Sequence, residues 1–221
     1  MNVLLAVLWK DLLTEWRNRE RAVAMLLFAL LVVVIFHFSL PGGATAKTQE
    51  SAPGLLWIAW VFASILGFNR SFALELENDA LSGMALLPCD RGWIFLGKAL
   101  ANLAILALVQ VLITGVFALF FELELWAVAP RLAGVVLLGS VGLCSVGTLF
   151  AAVAVRTRFR EVMLPLLMLP LLIPVLLASV RATSSLLTEG TVEFAPIQLL
   201  IVTDSIYLIA SFVGFDFVLD E

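Results

Sequence analysis

The chain has 221 residues, of which 62% are hydrophobic and 14% charged, with a formal net charge of -4. Soluble domains have about a quarter of their residues charged, so this composition excludes a soluble domain and indicates a membrane protein. The small net charge gives no reason to expect nucleic acid as a partner.

Residues 1–20 are predicted to form an amphipathic helix that lies on the membrane surface. The apolar residues recur at spacings of three and four, and they are Leu5, Leu8, Trp9, Leu12, Leu13 and Trp16. Charged residues occupy the rest of the helix, a pattern typical of an interfacial helix with Trp9 and Trp16 as anchors. The helix is either a simple membrane anchor or a lever that also contacts a cytoplasmic partner.

Six apolar runs follow, and each can cross about 30 Å of hydrocarbon as a helix once its flanking residues are included. They cover about residues 22–40, 54–70, 100–121, 132–155, 162–180 and 196–215. We therefore expect an all-α integral membrane protein in which residues 1–221 form a single transmembrane domain. An even number of spans places both termini on the same side of the membrane.

The basic residues predict which side this is. Ten of the thirteen Lys and Arg residues fall on the side that holds both termini, and Lys47, Arg131 and Arg181 fall on the other. Basic residues accumulate in short cytoplasmic loops. Both termini and the stretch 71–92 are therefore expected to be cytoplasmic.

The stretch 71–92, between the second and third spans, is predicted to form an elbow that docks onto another protein. Asp79 can cap a short helix over residues 80–87, which Pro88 ends or closely follows. The predicted docking residues combine acids with aliphatic side chains and are Glu75, Glu77, Asp79, Leu81, Met84 and Leu87. Burial against the chain's own helices is the open alternative.

The segment GWIFLGKA, residues 92–99, nearly matches a phosphate-binding loop, but this interpretation is rejected. Ala99 stands where such a loop has a hydroxyl for Mg²⁺, and bulky side chains fill positions where closely spaced backbone N–H groups are needed. Trp93 and Lys98 are interpreted instead as residues that mark the inner membrane interface.

No catalytic or metal-binding site is predicted, and no cofactor is expected to bind the chain directly. His37 is the only histidine, and the sequence has no HExxH or CxxC pattern. His37 is interpreted as a polar residue near the membrane interface, with a haem or metal ligand as the alternative. Cys89 and Cys144 differ too much in expected depth to form a disulfide, and neither receives a role.

Asp204 is expected to make membrane insertion of the sixth span less favourable, because a carboxylate deep in a membrane helix costs about 2.5–3.5 kcal/mol on insertion scales. It must be paired, be protonated or face a polar path. Thr203, Ser205 or a partner subunit can supply hydrogen bonds. Two roles are open, a structural hydrogen bond and a contact in a gating or substrate path.

Small residues and prolines distinguish the fourth and fifth spans. The fourth span is rich in residues that let helix backbones approach closely, and these include Gly134, Gly139, Gly142 and Gly147. The fifth span contains Pro165, Pro170 and Pro174, each of which removes a backbone donor. These prolines either fix kinks that shape the bundle or act as hinges.

The chain resembles a known family over nearly its whole length. The resemblance begins in WKDLLTEWRNRE and runs through APGLLWIAWVFASILGFNRSFALELENDALSGMALLPCDRGWIFLGKALANL. It continues in VMLPLLMLPLLIPVLLA and ends in the acidic tail FVLDE. These segments are similar to the haem exporter B subunit, the ABC-type permease CcmB of bacterial cytochrome c maturation.

The resemblance implies an ABC-2-type permease of the bacterial inner membrane that is not an enzyme by itself and pairs with a second copy. Its implied partners are an ATP-binding A subunit, a haem-handling C subunit and a small D subunit. The complex would act on haem bound to a periplasmic haem chaperone, and the elbow would be the coupling helix that receives the ATPase's motion. A passive membrane scaffold or channel without ATP coupling and an intramembrane enzyme are the alternatives.

Overall fold

The computed structural model describes residues 3–40, 46–72, 75, 90–123, 125, 127–155, 157 and 159–220. Within these ranges the secondary structure consists of seven α-helices, without a strand. They are α1 (Val3–Asn18), α2 (Glu20–Ser39), α3 (Ala46–Ser71), α4 (Arg91–Phe121), α5 (Ala129–Ala154), α6 (Arg160–Glu189) and α7 (Phe194–Asp220).

Helices α2 to α7 are each long and apolar enough to cross a membrane, which confirms the six predicted spans. Three of them exceed the predicted bounds by eight or nine residues, and the first of these is α3, which begins at Ala46. Helix α4 has 31 residues and begins at Arg91, and α6 has 30 residues and continues to Glu189. At 1.5 Å per residue, each is about 45 Å long and extends beyond about 30 Å of hydrocarbon. Sequence reasoning missed these extensions because they are less apolar than the runs they continue.

A sharp corner joins α1 to α2. Only Arg19 separates the two helices, and its φ of 51° lies in the left-handed region. Glu15 stabilises the corner, because its carboxylate accepts a hydrogen bond of 2.9 Å from the backbone N–H of Ala22. This N–H belongs to the first turn of α2, where backbone donors have no partner within the helix. The same carboxylate also forms an ion pair of 2.9 Å with Arg21.

One face of α1 packs against the start of α4. Val7 is buried and lies against Gly97, and the backbone of α1 approaches so closely that only a glycine fits there. Trp9 and Trp16 lie on the outer side of α1 and are 69% and 72% exposed. The helix is therefore confirmed, while the role of these two tryptophans as membrane anchors stays a prediction.

Gly97→Ala is expected to loosen the packing of α1 on α4 and to lower the free energy of unfolding by about 1–3 kcal/mol, the usual cost of overpacking. A Cβ at residue 97 would lie 2.8 Å from the carbonyl oxygen of Leu4 and 2.9 Å from Cβ of Val7. Gly115→Ala is the matched control in α4, because nothing lies within 4 Å of its Cβ position. The measurement is thermal unfolding of the purified protein in detergent, and equal midpoints for the two variants would contradict the prediction.

Helices α3 and α5 form the centre of the bundle. In each, 67% of the most apolar 18-residue window is buried, against 17% in α2 and 22% in α7. Glycines of α5 allow the close contacts: Gly139 lies against Trp57 of α3, and Gly147 lies against Phe68. Close packing of α5 is thus confirmed at these positions, but nothing lies within 4 Å of the Cβ position of Gly134.

Helix α6 is continuous through its three prolines. Its buried side chains recur every three to four residues, from Leu164 through Met168, Leu172 and Val175 to Leu186. Pro165, Pro170 and Pro174 lie outside this stripe and are half-buried or exposed. Between the last two prolines, the carbonyl of Leu171 accepts a 2.5 Å hydrogen bond from the hydroxyl of Tyr207 on α7. The hinge role of the prolines stays a prediction.

Candidate functional site at the α1 end of the bundle

The starts of α2 and α4 and the ends of α3, α5 and α7 meet beside α1, and we call this region the α1 end. Arg91, the first residue of α4, donates a 2.9 Å hydrogen bond to the carbonyl of Asp216 near the end of α7. Arg21, at the start of α2, reaches Asn102 of α4 over 2.8 Å. The described residues on either side of the predicted elbow, 71–72 and 90–92, lie at this end.

Four charged residues form a compact group at this end, which we call the Lys98 cluster: Lys10 and Asp11 of α1, Glu75, and Lys98 of α4. The ammonium of Lys98 lies 3.1 Å from Asp11 Oδ2 and 2.7 Å from Glu75 Oε1. Lys10 pairs with both carboxylates, at 3.1 Å from Asp11 Oδ1 and in a short contact with Glu75 Oε1. Two cations therefore face two anions, and the cluster is electrically balanced.

The Lys98 cluster is shielded from water on its inner side. Lys98 is 0% exposed and its ammonium lies 4.4 Å from the centre of the Phe72 ring, a cation–π contact. Lys10 closes the outer side. Burial lowers the pKa of Lys10, but the carboxylates of Glu75 and Asp11 outweigh this effect and raise its pKa above the ordinary value. Lys10 is therefore charged throughout the physiological range.

The position of Lys98 bears on both interpretations of the segment 92–99. The Lys98 side chain is buried and ion-paired and does not face outward, whereas Trp93 is 48% exposed, and the depth of both residues at the inner interface stays a prediction. The segment 92–99 lies within α4, where Asp90 caps the first turn by accepting a 2.8 Å hydrogen bond from the Gly92 N–H. A helix with its lysine engaged in this way cannot act as a phosphate-binding loop.

Glu75 is the one predicted docking residue that the structure describes. Its side chain is buried, with 6% of the residue exposed, and Oε1 faces the two lysines. Little of its surface is thus available to a partner protein. The other predicted docking residues, Glu77, Asp79, Leu81, Met84 and Leu87, lie outside the described residues, as does Cys89.

A second polar group, centred on Asn102, lies deeper at the same end. The Asn102 carbonyl oxygen accepts hydrogen bonds from Arg21 at 2.8 Å and from Ser71 at 3.0 Å, and its amide donates to Thr148 at 2.9 Å. These residues belong to α2, α3, α4 and α5. Because Arg21 also pairs with Glu15, the Asn102 group connects five helices, α1 to α5.

A cavity beside the Asn102 group has a volume of about 10 Å³. Its lining consists of Arg21, Met25, Ser64, Gly67, Phe68, Asn102, Ile105 and Leu106. This volume holds about one water molecule, whereas pockets for organic ligands have volumes of about 300–1,000 Å³. The cavity is therefore not a haem site. Among the described residues, no three His, Cys, Asp or Glu side chains are grouped so that they could hold a metal ion.

The two remaining polar residues singled out in the spans lie away from the α1 end. Asp204 of α7 is 4% exposed and lies against Gly142 of α5, and neither carboxyl oxygen has a hydrogen-bond partner among the described groups. Ser205 donates to the carbonyl of Ile201 instead. His37 is half-buried at the opposite end of the bundle, edge-on to nearby phenylalanine rings.

Sequence reasoning missed the polar partners that hold the bundle together. Asp11 and Lys98 are 87 positions apart, and Trp57 of α3 donates a 3.0 Å hydrogen bond to Thr183, 126 positions away. Asn102 could have indicated the second polar group from the sequence alone, because a polar side chain inside an apolar run needs a partner. The identity of that partner depends on which helices become neighbours, and a single sequence does not show this.

Comparisons with known proteins identify the family of the chain. A family model described as CcmB protein matches residues 2–214. Heme exporter protein B of Paracoccus denitrificans (strain Pd 1222) is 32% identical over 178 residues, or 80% of each chain. Heme exporter protein B of Bradyrhizobium diazoefficiens is 29% identical over 201 residues, which cover 90% of this chain and 89% of the relative. This multi-pass membrane protein therefore belongs to the CcmB family.

Proposed function

We propose that the chain is the permease subunit of a haem exporter complex in the biogenesis of c-type cytochromes. The observation that carries the proposal is the family match over residues 2–214, together with relatives named heme exporter protein B. The chain itself supplies membrane helices and no catalysis. Its α1 end faces the cytoplasm of a bacterial cell, because ten of the thirteen basic residues are on that side.

We further propose that the permease is coupled to ATP hydrolysis on a separate A subunit through the stretch 71–92. Glu75 lies within this stretch and is ion-paired to Lys98 of α4 and Lys10 of α1. A displacement of the stretch would therefore pull on both helices at once. The Asn102 group would pass the displacement on to α2, α3 and α5, since it connects these helices with α4.

The proposed complex also contains a C subunit that handles haem and a small D subunit, acts on haem bound to a periplasmic chaperone, and has two copies of this chain. Within the stretch, Leu81, Met84 and Leu87 would supply the apolar contacts with the A subunit, and Glu77 and Asp79 the polar rim. Glu75 would hold the stretch on the bundle, because its carboxylate is buried in the Lys98 cluster.

Leu81→Asp and Met84→Asp are expected to abolish co-purification of the ATP-binding subunit, because a charge buried in an apolar contact without a partner costs several kcal/mol. The tagged chain is purified from bacterial membranes in mild detergent, and the proteins bound to it are identified by mass spectrometry. Ala127→Asp is the matched control, since residue 127 is exposed in the α4–α5 connection at the opposite end.

Two results would contradict the proposal. Normal recovery of the ATP-binding subunit with both variants would show that this part of the stretch does not dock it. Recovery of the unmodified chain without any ATP-binding subunit would favour a passive scaffold or channel. Loss of the subunit with Ala127→Asp as well would point to general damage, so membrane level and thermal unfolding are measured for all three variants.

A further inference from the structure

Asp204 lies about ten residues into α7, or about 15 Å from the start of the helix, which places it near the middle of the membrane. The residue is 4% exposed, and both carboxyl oxygens are buried without a hydrogen-bond partner among the described groups. A buried carboxylate normally accepts several hydrogen bonds or pairs with a cation. Asp204 therefore differs from Asp11 and Glu75, whose charges are compensated.

Where Asp204 meets α5, the groups at the contact are a glycine backbone and an apolar side chain. Asp204 Oδ1 lies against the backbone of Gly142, where a Cβ would overlap it, and Val175 of α6 borders the same position. The polar neighbours on α7 are engaged elsewhere: Ser205 donates to the Ile201 carbonyl, and Tyr207 donates to the Leu171 carbonyl. The contact with Gly142 thus gives the carboxyl space but no partner.

No charged group of the described chain neutralises Asp204. The helices packed against α7 are α4, α5 and α6. Titratable or charged side chains described on these helices and on α7 are Arg91, Lys98, Arg131, Cys144, Glu161, Arg181, Glu189, Tyr207 and Asp216. Asp204 forms no ion pair or hydrogen bond with any of them. Because only 4% of Asp204 is exposed, little of its surface is open to a partner subunit.

We infer that Asp204 is a proton-binding group, which holds a proton as the neutral acid while α7 packs on Gly142, and whose ionisation drives α7 away from α5. A bound metal cation fits poorly, because a hard cation needs about six oxygen ligands and, among the described residues, no three His, Cys, Asp or Glu side chains are grouped so that they could hold one. An ionised carboxylate is compatible with these helices only after it reaches water or a cation. Proton release and separation of α7 from α5 are therefore linked.

Infrared spectroscopy of the purified whole chain distinguishes the two protonation states directly. The spectrum of Asp204→Asn is subtracted from that of the unmodified protein at neutral pH. We expect the difference to contain the carbonyl stretching band of a protonated carboxylic acid, with a shift on exchange into D₂O. The two bands of an ionised carboxylate in its place would overturn the inference. Ser205→Ala is the neighbouring control and should leave both spectral regions unchanged.

A second measurement follows the linkage with pH. If the folded state holds one more proton than the unfolded state, stability falls as pH rises. The thermal midpoint of the unmodified protein should therefore fall further between mildly acidic and alkaline pH than that of Asp204→Asn, which is neutral throughout. Parallel pH profiles would overturn the inference. If the Asn variant does not fold, Asp204→Ser, which is also neutral at every pH, replaces it in both measurements. Neither measurement uses haem or a partner subunit. A result that overturns this inference would therefore leave the proposed function untouched, and the reverse also holds.

Discussion

Lys98→Met is expected to lower the free energy of unfolding by about 3–5 kcal/mol, the usual cost of removing one partner from a buried ion pair. The substitution keeps the length of the side chain but leaves Asp11 and Glu75 with Lys10 as their cation. Lys10 cannot replace Lys98, because its side chain is 46% exposed and lies on the outer side of the cluster. Thermal unfolding in detergent measures the loss.

The control for this prediction is the charge-balanced double variant Lys98→Met with Glu75→Gln. Removing one cation and one anion together leaves Lys10 paired with Asp11, so part of the lost stability should return. A double-mutant cycle over the two positions gives the coupling energy. Additive effects of the two substitutions would show that Lys98 and Glu75 do not interact as described, and that the stretch 71–92 is not tied to α4 by this contact.

The sequence predicted the helices well because each is specified by local pattern. Six apolar runs of membrane length give six spans, and the three-and-four spacing of Leu5, Trp9 and Leu12 gives the helix before them. Close packing of α5 was also predictable, since glycine in a membrane helix marks a site where another helix approaches. The exception, Gly134, shows that the residue type permits such an approach but does not require one.

The functional site could be predicted only in part, because its contacts join distant parts of the chain. The sequence pattern predicted that Glu75 lies on a docking surface, whereas its side chain is buried in the Lys98 cluster. Its partners, Lys98 and Lys10, are 23 and 65 positions away, and their pairing depends on the position of α1 beside α4. For Asp204 the sequence predicted that a partner or a proton was needed, and none of the described residues provides a hydrogen-bond partner.

Asn102→Leu is the second large effect that we expect. Arg21, Ser71 and Thr148 would each lose a hydrogen bond to Asn102. A buried polar group left without its partner costs about 1–3 kcal/mol, and Arg21 would keep only its pair with Glu15. The bundle should lose stability at the α1 end, which thermal unfolding and the rate of proteolysis near the corner at Arg19 both report.

Gln110→Leu is the matched control for this effect, because residue 110 lies on the same helix, is equally buried and also bonds to α5. Its amide donates to Ser140 at 2.8 Å and its carbonyl accepts from the same hydroxyl at 3.1 Å, so this contact joins two helices. The Asn102 contact joins four, and its loss should therefore lower the thermal midpoint more. If Gln110→Leu were equally or more destabilising, the loss of stability would reflect the hydrogen bonds of any buried amide. The Asn102 group would then have no special part in holding α2, α3 and α5 to α4.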